Sequence, residues 1–391
     1  MSKLATMAIP LNIMIVAGEA SGDSHAARLV NVLKAQHDGT VSFFGSAGPR
    51  MREAGVEAIV RADELSVMGL AEIGSALPMF YRAFRTLKDE ATKRQPDVAI
   101  LVDFPDFNLR LAKKLKKRGI KVVYYISPQL WAWRSYRIKT VKKYVDLMLT
   151  ILPFERDWYL ANGVNHVEYV GNPLIREVHA NVSRDEFRMA QGISDDDVLI
   201  ALLPGSRRTE INRILPDMVN AAKLIVKVRT NAKFVIASAA HVNSEQILEM
   251  LHELDPDKQL DLRLVESETY DALIACDAAA ITSGTATLEA GILNVPMAVV
   301  YKTSSTNYRL LEPLINADHY ALINLLASRR IVAELIQNDL TPQKLADELL
   351  RLLEPSVNLK VRADLKEAAS QLGEGGASKR AAKHILELIN R

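Results

Sequence analysis

Residues 200–207 read Ile-Ala-Leu-Leu-Pro-Gly-Ser-Arg, and a similar pattern recurs at residues 281–289 as Ile-Thr-Ser-Gly-Thr-Ala-Thr-Leu-Glu. In both stretches an apolar strand runs into a turn of small residues and then into a helical pattern. This arrangement directs backbone N–H groups and a helix N-terminus toward one point, a geometry that binds phosphate. The two turns therefore predict a site for a nucleotide diphosphate, with a planar cation at Arg207. The predicted residues are Gly205, Ser206, Arg207, Ser283, Gly284, Thr285 and Glu289.

Short apolar runs of this kind alternate with helical patterns along most of the chain. The first series is Asn12–Val16, Val41–Gly45, Val98–Val102, Val122–Ile126, Leu147–Ile151 and His166–Val170. The second series is Val198–Leu203, Lys233–Ala237, Asp261–Val265, Ala278–Thr282 and Pro296–Tyr301. Strands that alternate with helices form parallel, doubly wound sheets whose site lies at the carboxyl ends of the strands. The predicted fold class is α/β, with two Rossmann-like doubly wound domains facing a cleft.

Length and composition agree with two globular domains, because 391 residues with 49% hydrophobic content supply two cores of ordinary size. The predicted boundaries are 1–175 for an N-terminal Rossmann-like domain and 176–360 for a C-terminal Rossmann-like domain that contains both phosphate-directed turns. A helical segment, 361–391, follows, and packing against the N-terminal domain is one arrangement open to it.

Charge and cysteine content narrow the function classes. A net charge of +2 gives no reason to predict a nucleic-acid partner. The single cysteine, Cys276, lies in an apolar run, which predicts a buried thiol and a reducing compartment. We find no run of about 18 apolar residues, so no transmembrane helix is expected. The eight histidines are scattered, so neither a bound metal nor a cofactor is expected.

The first predicted strand ends in an acidic, glycine-containing turn at residues 18–23, Gly-Glu-Ala-Ser-Gly-Asp. Its glycines permit a ligand to approach the backbone closely, but the spacing matches neither a Walker loop nor the Gly-x-Gly-x-x-Gly pattern. An acidic turn repels phosphate, so we expect Gly18, Glu19 and Ser21 to contact the hydroxyls of a sugar or acceptor. An ordinary strand-to-helix turn is the alternative.

A second acidic motif, Val-Asp-Phe-Pro-Asp-Phe-Asn at residues 102–108, follows a buried strand. Asp103 lies where the strand opens into the crevice, the position from which α/β enzymes present catalytic groups. Two neighbouring phenylalanines are expected to raise the pKa of this carboxyl toward the range of a general base. Asp106 is the alternative base, although its place after Pro105 also suits helix capping.

Residues 127–134, Ser-Pro-Gln-Leu-Trp-Ala-Trp-Arg, put two indoles and a cation in one loop. Arg134 begins a local basic cluster that continues with Arg137, Lys139, Lys142 and Lys143. Such a loop suits an acidic amphiphile, with Trp131 and Arg134 as contacts. The alternatives are an aromatic anchor beside a solvated basic helix and a single-stranded nucleic-acid site. Aromatic and basic residues are not interleaved elsewhere, which disfavours nucleic acid.

The segment from Leu65 to Phe84 has apolar residues at helical spacing. An exposed apolar face would contact a lipid chain or a bilayer, with Arg82, Arg85 and Lys88 near anionic headgroups. A helix facing the core is the alternative. The residues predicted for lipid contact are Met68, Leu70, Ile73, Leu77 and Phe80.

Taken together and in order, seven motifs closely resemble those of the lipid A disaccharide synthase family. They are residues 17–23, 48–51, 67–69, 103–108, 127–134, 203–207 and 283–289. The resemblance spans nearly the whole chain and implies an inverting glycosyltransferase of the two-domain B fold. Such an enzyme transfers 2,3-diacylglucosamine from UDP-2,3-diacylglucosamine to 2,3-diacylglucosamine 1-phosphate. The products are UDP and the β-1,6-linked lipid A disaccharide 1-phosphate.

The resemblance also implies roles for individual residues. The family's proposed base falls on Asp103, and Glu289 would bind the ribose hydroxyls of UDP. Asn324 resembles part of the later donor-side segment, less closely than the other motifs. On the acceptor side the implied residues are Gly18, Glu19, Ser21, Asp106, Asn108, Trp131, Arg134 and Asn172. Where many relatives carry Gly-His-Pro, this chain has Gly-Asn-Pro at 171–173, so a histidine role is not carried over.

The implied partners are the two acylated substrates and the cytoplasmic face of the inner membrane, where a peripheral location is expected. No nucleic acid is expected, and the oligomeric state is left open, with a homodimer as one candidate. The alternative function is another UDP-sugar enzyme of the same fold, either an epimerase or a transferase with a soluble acceptor. A soluble acceptor would give no reason to expose Leu70, Ile73 and Leu77.

Overall fold

A computed structural model of the chain describes residues 10–66, 73–238, 242–304, 308–309 and 318–391. The chain divides into two compact units, and each contains one parallel sheet. The first unit comprises residues 1–173 and 374–391, and the second comprises residues 174–373. The prediction of two parallel-sheet α/β domains is therefore confirmed. The second unit continues to residue 373, beyond the boundary predicted at 360.

The first unit alternates strands with helices along the chain. Its strands are β1 (Leu11–Val16), β2 (Val41–Ala47), β3 (Glu57–Arg61), β4 (Val98–Val102), β5 (Lys121–Tyr125), β6 (Leu147–Thr150) and β7 (Val167–Tyr169). Its helices before residue 173 are α1 (Ala20–Gln36), α2 (Pro49–Glu53), α3 (Ala62–Ser66), α4 (Ile73–Arg94), α5 (Pro105–Lys116), α6 (Ile138–Tyr144) and α7 (Pro153–Ala161).

The strand order of the first sheet is β3-β2-β1-β4-β5-β6-β7. Successive strands are added on one side of β1 up to β3 and on its other side from β4 onward, so the carboxyl ends of the parallel strands β1 and β4 form the topological switch point where ligands bind in such folds. All five residues of β4 are buried, and alternate residues face two separate cores. Val98, Ile100 and Val102 face one core, and Ala99 and Leu101 face the other. A strand covered by helices on both faces is apolar throughout for this reason.

The second unit repeats the design with six strands. They are β8 (Val198–Leu203), β9 (Ala232–Ser238), β10 (Leu262–Glu266), β11 (Ala278–Thr282), β12 (Met297–Tyr301) and β13 (Ala333–Ile336), in the order β10-β9-β8-β11-β12-β13. Its described helices are α8 (Leu174–Glu177), α9 (Arg184–Ala190), α10 (Arg208–Val226), α11 (Ser244–Leu254), α12 (Thr269–Ala275), α13 (Ala286–Ile292), α14 (Leu322–Ala327), α15 (Pro342–Leu352) and α16 (Pro355–Ser370). The switch point of this sheet lies between β8 and β11.

The final helix, α17 (Ala377–Ile389), returns to the first unit and packs against α1. Its buried face consists of Ala377, Ala381, Ala382 and Ile385. Lys121 Nζ donates to the last carbonyls of the helix, those of Leu388 and Ile389, at 3.0 Å each. These contacts join the end of the chain to the sheet of the first unit.

Two strands were absent from the sequence prediction, β3 and β13. Each lies at an edge of its sheet and has charged or half-buried residues, so neither shows the continuous apolar run of a central strand. Among the described helices, none has both the length and the apolar character needed to cross a bilayer.

Candidate active site

A cavity of about 460 Å³ lies in the second unit at the carboxyl ends of β8 and β11. Its size is typical of small-molecule sites. Both predicted turns contribute to it: Gly205 and Ser206 from the first, and Ser283, Gly284, Thr285 and Glu289 from the second. The two turns lie together because β8 and β11 are adjacent parallel strands, with Ile281 paired to Leu203.

The first turn already binds a carboxylate oxygen. Glu210, in the first turn of α10, accepts hydrogen bonds from the backbone N–H groups of Ser206 and Arg207, each at 3.3 Å. The Arg207 guanidinium is 3.4 Å from the other carboxylate oxygen, and its side chain is 63% exposed. Gly205 has φ +116°, and a Cβ atom there would lie 2.7 Å from the Glu210 carboxylate. The turn therefore has the geometry of an anion site at a helix N-terminus.

The second turn supplies hydroxyl groups and a carboxyl group. The Ser283 hydroxyl donates to the Tyr320 carbonyl at 2.7 Å, so this side chain also ties the turn to the segment before α14. Glu289 is half-buried and lines the cavity. Burial raises the pKa of its carboxyl. A partly desolvated carboxyl at this position suits hydrogen bonding to ligand hydroxyls.

Asn324 is not among the residues that line this cavity. It is fully buried, and its amide donates to the Val332 carbonyl and to Glu334 Oε1 at 2.9 and 2.8 Å. Its side-chain oxygen accepts from the N–H groups of Ile331 and Val332. These contacts use the amide to support the loop between α14 and β13, and the donor-side role of Asn324 stays a prediction.

Several cavity residues were not found from the sequence. They are Asn181, Glu210, Ser267, Thr269, Tyr270 and Asp271. Asp271 accepts the backbone N–H of Asn181 at 2.6 Å, which holds the segment after α8 against the cavity. The polar residues that follow β10 were the available signal for part of this set. Glu210 had a signal too, since its position three residues after Arg207 is that of a capping box.

In the first unit, Asp103 follows β4 directly at the switch point. Its backbone N–H donates to the Tyr125 carbonyl at 3.0 Å, which continues the β4–β5 pairing. Asp103 and the next residue, Phe104, have φ values of +47° and +52°. The Phe104 ring packs so closely on the first loop that a Cβ atom at Gly18 would lie 2.4 Å from it. Position 18 therefore requires glycine, because the Phe104 ring approaches its backbone closely.

The surroundings of Asp103 favour a proton-accepting role. Burial, and then the negative charge of Glu19, raise the pKa of Asp103 to about 6, against the opposing effects of the Phe104 N–H and His25. Burial lowers the pKa of His25 to about 4, so its ring is neutral near neutral pH. A carboxyl that is ionised at neutral pH but more basic than usual suits general-base catalysis.

Asp106 has a different environment. Its side chain is 63% exposed and accepts hydrogen bonds from Arg134, at 3.0 Å, and from Arg137. The helix begins with Phe104 at its N-cap, so Asp106 does not cap α5. It joins the start of α5 to the Trp loop, and Arg134 lies over the ring of Trp133. The carboxylate of Asp106, the alternative base, is therefore paired with two cations.

Trp131 is an anchor within the core. The side chain is buried, its Nε1 donates to Glu155 Oε1 at 3.1 Å, and its ring packs edge-on against Phe154. Burial raises the pKa of Glu155 to about 7, although the N–H groups of Ile151 and Leu152 also donate to it. These contacts favour the aromatic-anchor alternative for this residue, and its contact with a substrate stays a prediction.

Asn108 is likewise fully buried. Its side-chain nitrogen donates to the carbonyls of Val102 and Asp103 at 3.2 and 2.8 Å. Asn172 is also fully buried, at the end of the first part of this unit. Contact of either amide with the acceptor stays a prediction.

The acidic turn after β1 borders a second cavity, of about 310 Å³. Glu19, Ala20 and Ser24 line one side, and Gly48, Pro49 and Arg50 line another. Ser21 is exposed beside them. Asp23 is structural, since its carboxylate accepts the backbone N–H groups of Gly48, Arg50 and Met51 at the start of α2. Glu19 thus faces a cavity and acts electrostatically on Asp103.

The predicted lipid-contact segment is only partly described. Met68 and Leu70 lie outside the described residues, as does the side chain of Ile73. Leu77 is 60% exposed and Tyr81 is 69% exposed on α4. Phe80 is half-buried and packs on Phe104, with ring centroids 6.2 Å apart. Within the described ranges, no group of three or more His, Cys, Asp and Glu residues is arranged to bind a metal ion.

Comparison of sequences gives one consistent result. A family model described as lipid-A-disaccharide synthetase matches residues 13–388. The chain is similar to the lipid-A-disaccharide synthase of Myxococcus xanthus, with 44% identity over 384 residues, 98% of this chain and 99% of the relative. It is also similar to the lipid-A-disaccharide synthase of Geobacter sulfurreducens, with 40% identity over 380 residues and 97% coverage of both.

Solved structures with the same fold include UDP-sugar enzymes. A co-structure of MnaA with UDP from S. aureus has a TM-score of 0.68 and 14% identity, with 97% of both chains covered. UDP-GlcNAc 2-epimerase from Neisseria meningitidis, bound to UDP-GlcNAc, has a TM-score of 0.66 and 14% identity, with 97% of this chain and 100% of that chain covered. Similarity at this identity extends to the fold alone.

Proposed function

The chain belongs to the lipid-A-disaccharide synthase family of UDP-sugar glycosyltransferases, and from this premise we propose how its residues divide the reaction. The second unit binds the donor, UDP-2,3-diacylglucosamine, in the cavity at the ends of β8 and β11. The diphosphate lies against the N–H groups of Ser206 and Arg207, with the guanidinium beside it. Hydroxyls of the second turn complete the site, and Glu289 binds the ribose. The observation that carries this proposal is that both turns line one cavity.

In the first unit, Asp103 is the general base. Its carboxylate takes the proton of the acceptor's primary hydroxyl as that oxygen attacks the anomeric carbon of the donor. The bond from this carbon to the diphosphate breaks, and UDP leaves with the bonding electrons. Attack opposite the leaving group inverts the anomeric configuration and gives the β-1,6 linkage. N–H groups and Arg207 stabilise the charge that develops on UDP.

The acceptor, 2,3-diacylglucosamine 1-phosphate, binds in the first unit. Glu19 lines the cavity beside the first loop, with Gly18 and Ser21 in the same loop, and its carboxylate can accept hydrogen bonds from sugar hydroxyls. Arg134 adds a cation close by, paired with Asp106. This assignment explains why an acidic turn, which repels phosphate, lies beside the proposed base.

We also propose peripheral contact with the cytoplasmic face of the inner membrane through α4 and the basic helices α5 and α6. Residues 104–144 contain twelve Lys and Arg residues and a single acidic residue, Asp106. The exposed cations include Lys113, Lys114, Lys117, Lys139, Lys142 and Lys143. Exposed Leu77 and Tyr81 lie on α4 of the same unit. Apolar side chains beside clustered cations suit an anionic bilayer surface. The homodimer stays a prediction.

The membrane proposal predicts that Leu77→Ser combined with Tyr81→Ser weakens binding to vesicles of anionic phospholipid by about tenfold, because two apolar side chains no longer enter the bilayer. Vesicle sedimentation measures this. Leu359→Ser is the matched control, since Leu359 is 70% exposed in the other unit and should leave binding unchanged. Equal binding by the double variant and the wild type would contradict the contact.

The catalytic proposal is tested with the purified chain, acylated donor and acylated acceptor. Release of UDP should require both substrates and should match the disaccharide 1-phosphate detected by mass spectrometry. UDP-GlcNAc supplied alone should be neither epimerised nor hydrolysed. No UDP from the complete mixture would refute the proposed substrates, and epimerisation of UDP-GlcNAc would favour the alternative enzyme class.

A further inference from the structure

The main chain at the proposed base is strained. Asp103 and Phe104 both occupy the left-handed region, with φ values of +47° and +52°, and neither is glycine. Such a conformation persists only where surrounding contacts hold it. The strain lies at the junction of β4 and α5, where the backbone direction also sets the direction of the Asp103 carboxyl. Contacts that maintain this turn therefore control the geometry of the base.

Two buried side chains hold the turn through one atom, the main-chain oxygen of Asp103. The Tyr124 hydroxyl donates to it at 2.6 Å, and the Asn108 side-chain nitrogen donates at 2.8 Å. Both side chains are fully buried. Hydrogen bonds shielded from water are strong, and leaving such an acceptor without its partners is costly. The carbonyl is thus held from two elements, β5 and α5.

Tyr124 reaches this atom because of its register in the sheet. It pairs with Leu101 of β4 and belongs to the same core as Leu101 and Phe107, under α5. From that position the phenol ring extends to the carboxyl edge of the sheet. The next residue, Tyr125, belongs to the opposite core and is also fully buried. A phenylalanine at 124 would fill the core but would lack the donor.

We propose that Tyr124 is a positioning residue for the transfer reaction, whose hydroxyl holds the Asp103 carbonyl and so fixes the direction of the catalytic carboxyl. This inference rests on the proposed role of Asp103 as base. Loss of the hydroxyl leaves one of the two side-chain hydrogen bonds, so the strained turn relaxes and the carboxyl moves. Donor binding depends on residues of the second unit and is unchanged.

The test is Tyr124→Phe in the full chain, assayed by UDP release over a range of pH. We expect kcat to fall by about tenfold to a hundredfold, the effect of misplacing a catalytic group by roughly 1 Å. The donor KM should stay the same, and the acid limb of kcat should shift because the surroundings of the carboxyl change. Tyr125→Phe is the matched control and should keep the wild-type kcat and pH profile.

Normal kcat in a folded Tyr124→Phe variant would overturn the proposal, as would an equal loss in Tyr125→Phe. If Tyr124→Phe does not fold, the hydroxyl stabilises the fold, and this result would also contradict the proposed positioning role. Asn108→Ala removes the other hydrogen bond to the same carbonyl and should lower kcat in the same way. The Asp103→Ala variant distinguishes failure of the proposed base from failure of the positioning role. If Asp103→Ala is active, Asp103 is not the base. If Asp103→Ala is inactive but Tyr124→Phe is fully active, only the positioning role of Tyr124 is refuted.

Discussion

At the scale of single residues, the acidic groups near the first switch point differ in their surroundings. Asp103 is largely shielded and lies near the negative charge of Glu19, whereas Asp106 is exposed and paired with Arg134 and Arg137. Burial and a like charge disfavour the ionised form, and paired cations favour it. A base needs an available lone pair, so the environment favours Asp103 over Asp106.

The pKa of Asp103, about 6, predicts the pH dependence of the reaction. Because the ionised carboxylate accepts the proton, kcat/KM should be constant above this pH and fall below it, about tenfold per unit. Glu19→Gln removes a charge that raises the pKa of Asp103, so the acid limb should move to lower pH. Glu249→Gln, an exposed change on α11, should leave the limb in place. A limb that moves to higher pH in Glu19→Gln would contradict this electrostatic account.

Glu210 occupies the anion site that UDP is proposed to use. Its carboxylate accepts the N–H groups of Ser206 and Arg207, so a phosphate must displace it and then bind near its negative charge. Glu210→Gln should therefore tighten UDP binding by about threefold to tenfold, or about 1 kcal/mol. Isothermal titration calorimetry measures the change. Weaker binding in this variant would indicate that the carboxylate assists the ligand instead.

At the scale of elements, helices α4 and α17 pack against different parts of the first unit. The Phe80 ring of α4 packs on Phe104, directly after the proposed base, while α17 covers α1 with its alanine-rich face. Helix α4 thus carries exposed Leu77 and also contacts, through Phe80, the turn that holds the proposed base. Helix α17 contributes its buried residues to the first core.

Ile385 of α17 is fully buried between the helix and the first core. Ile385→Ala should lower the free energy of unfolding by about 2–5 kcal/mol, because buried methyl and methylene groups are lost and a cavity remains. Chemical denaturation followed by circular dichroism measures this. Leu359→Ala on α16 is the control, since this side chain is 70% exposed and should change stability by about 0.5 kcal/mol or less. Equal stability of Ile385→Ala and wild type would show that α17 is dispensable to the core.

At the scale of the whole molecule, the sequence predicted what depends on local pattern. Central strands such as β4 and β8 were found because both their faces are covered and their apolar runs are continuous. The turns at Gly205 and Gly284 were found because small residues after a strand mark ligand-binding loops. Edge strands β3 and β13 were missed because an edge has a weaker apolar signal.

The local sequence pattern could not predict which polar side chains are buried. Asn108, Asn324 and Trp131 were predicted as ligand contacts, yet all are buried and bind main-chain carbonyls or Glu155. Their partners come from other elements, so only the tertiary arrangement reveals that their polar groups are already used. Tyr124 gave no signal for the same reason, since a tyrosine in a central strand reads as core.

The central claim is that Asp103 is the base of a UDP-sugar transfer, and turnover of Asp103→Asn beside Asp106→Asn tests it most directly. UDP release from acylated donor and acceptor should fall by about a hundredfold or more in Asp103→Asn, since the amide cannot accept the proton. Asp106→Asn, which loses the ion pairs of an exposed carboxylate with Arg134 and Arg137, should retain most of the turnover. Near-normal turnover in Asp103→Asn, together with its loss in Asp106→Asn, would contradict the account.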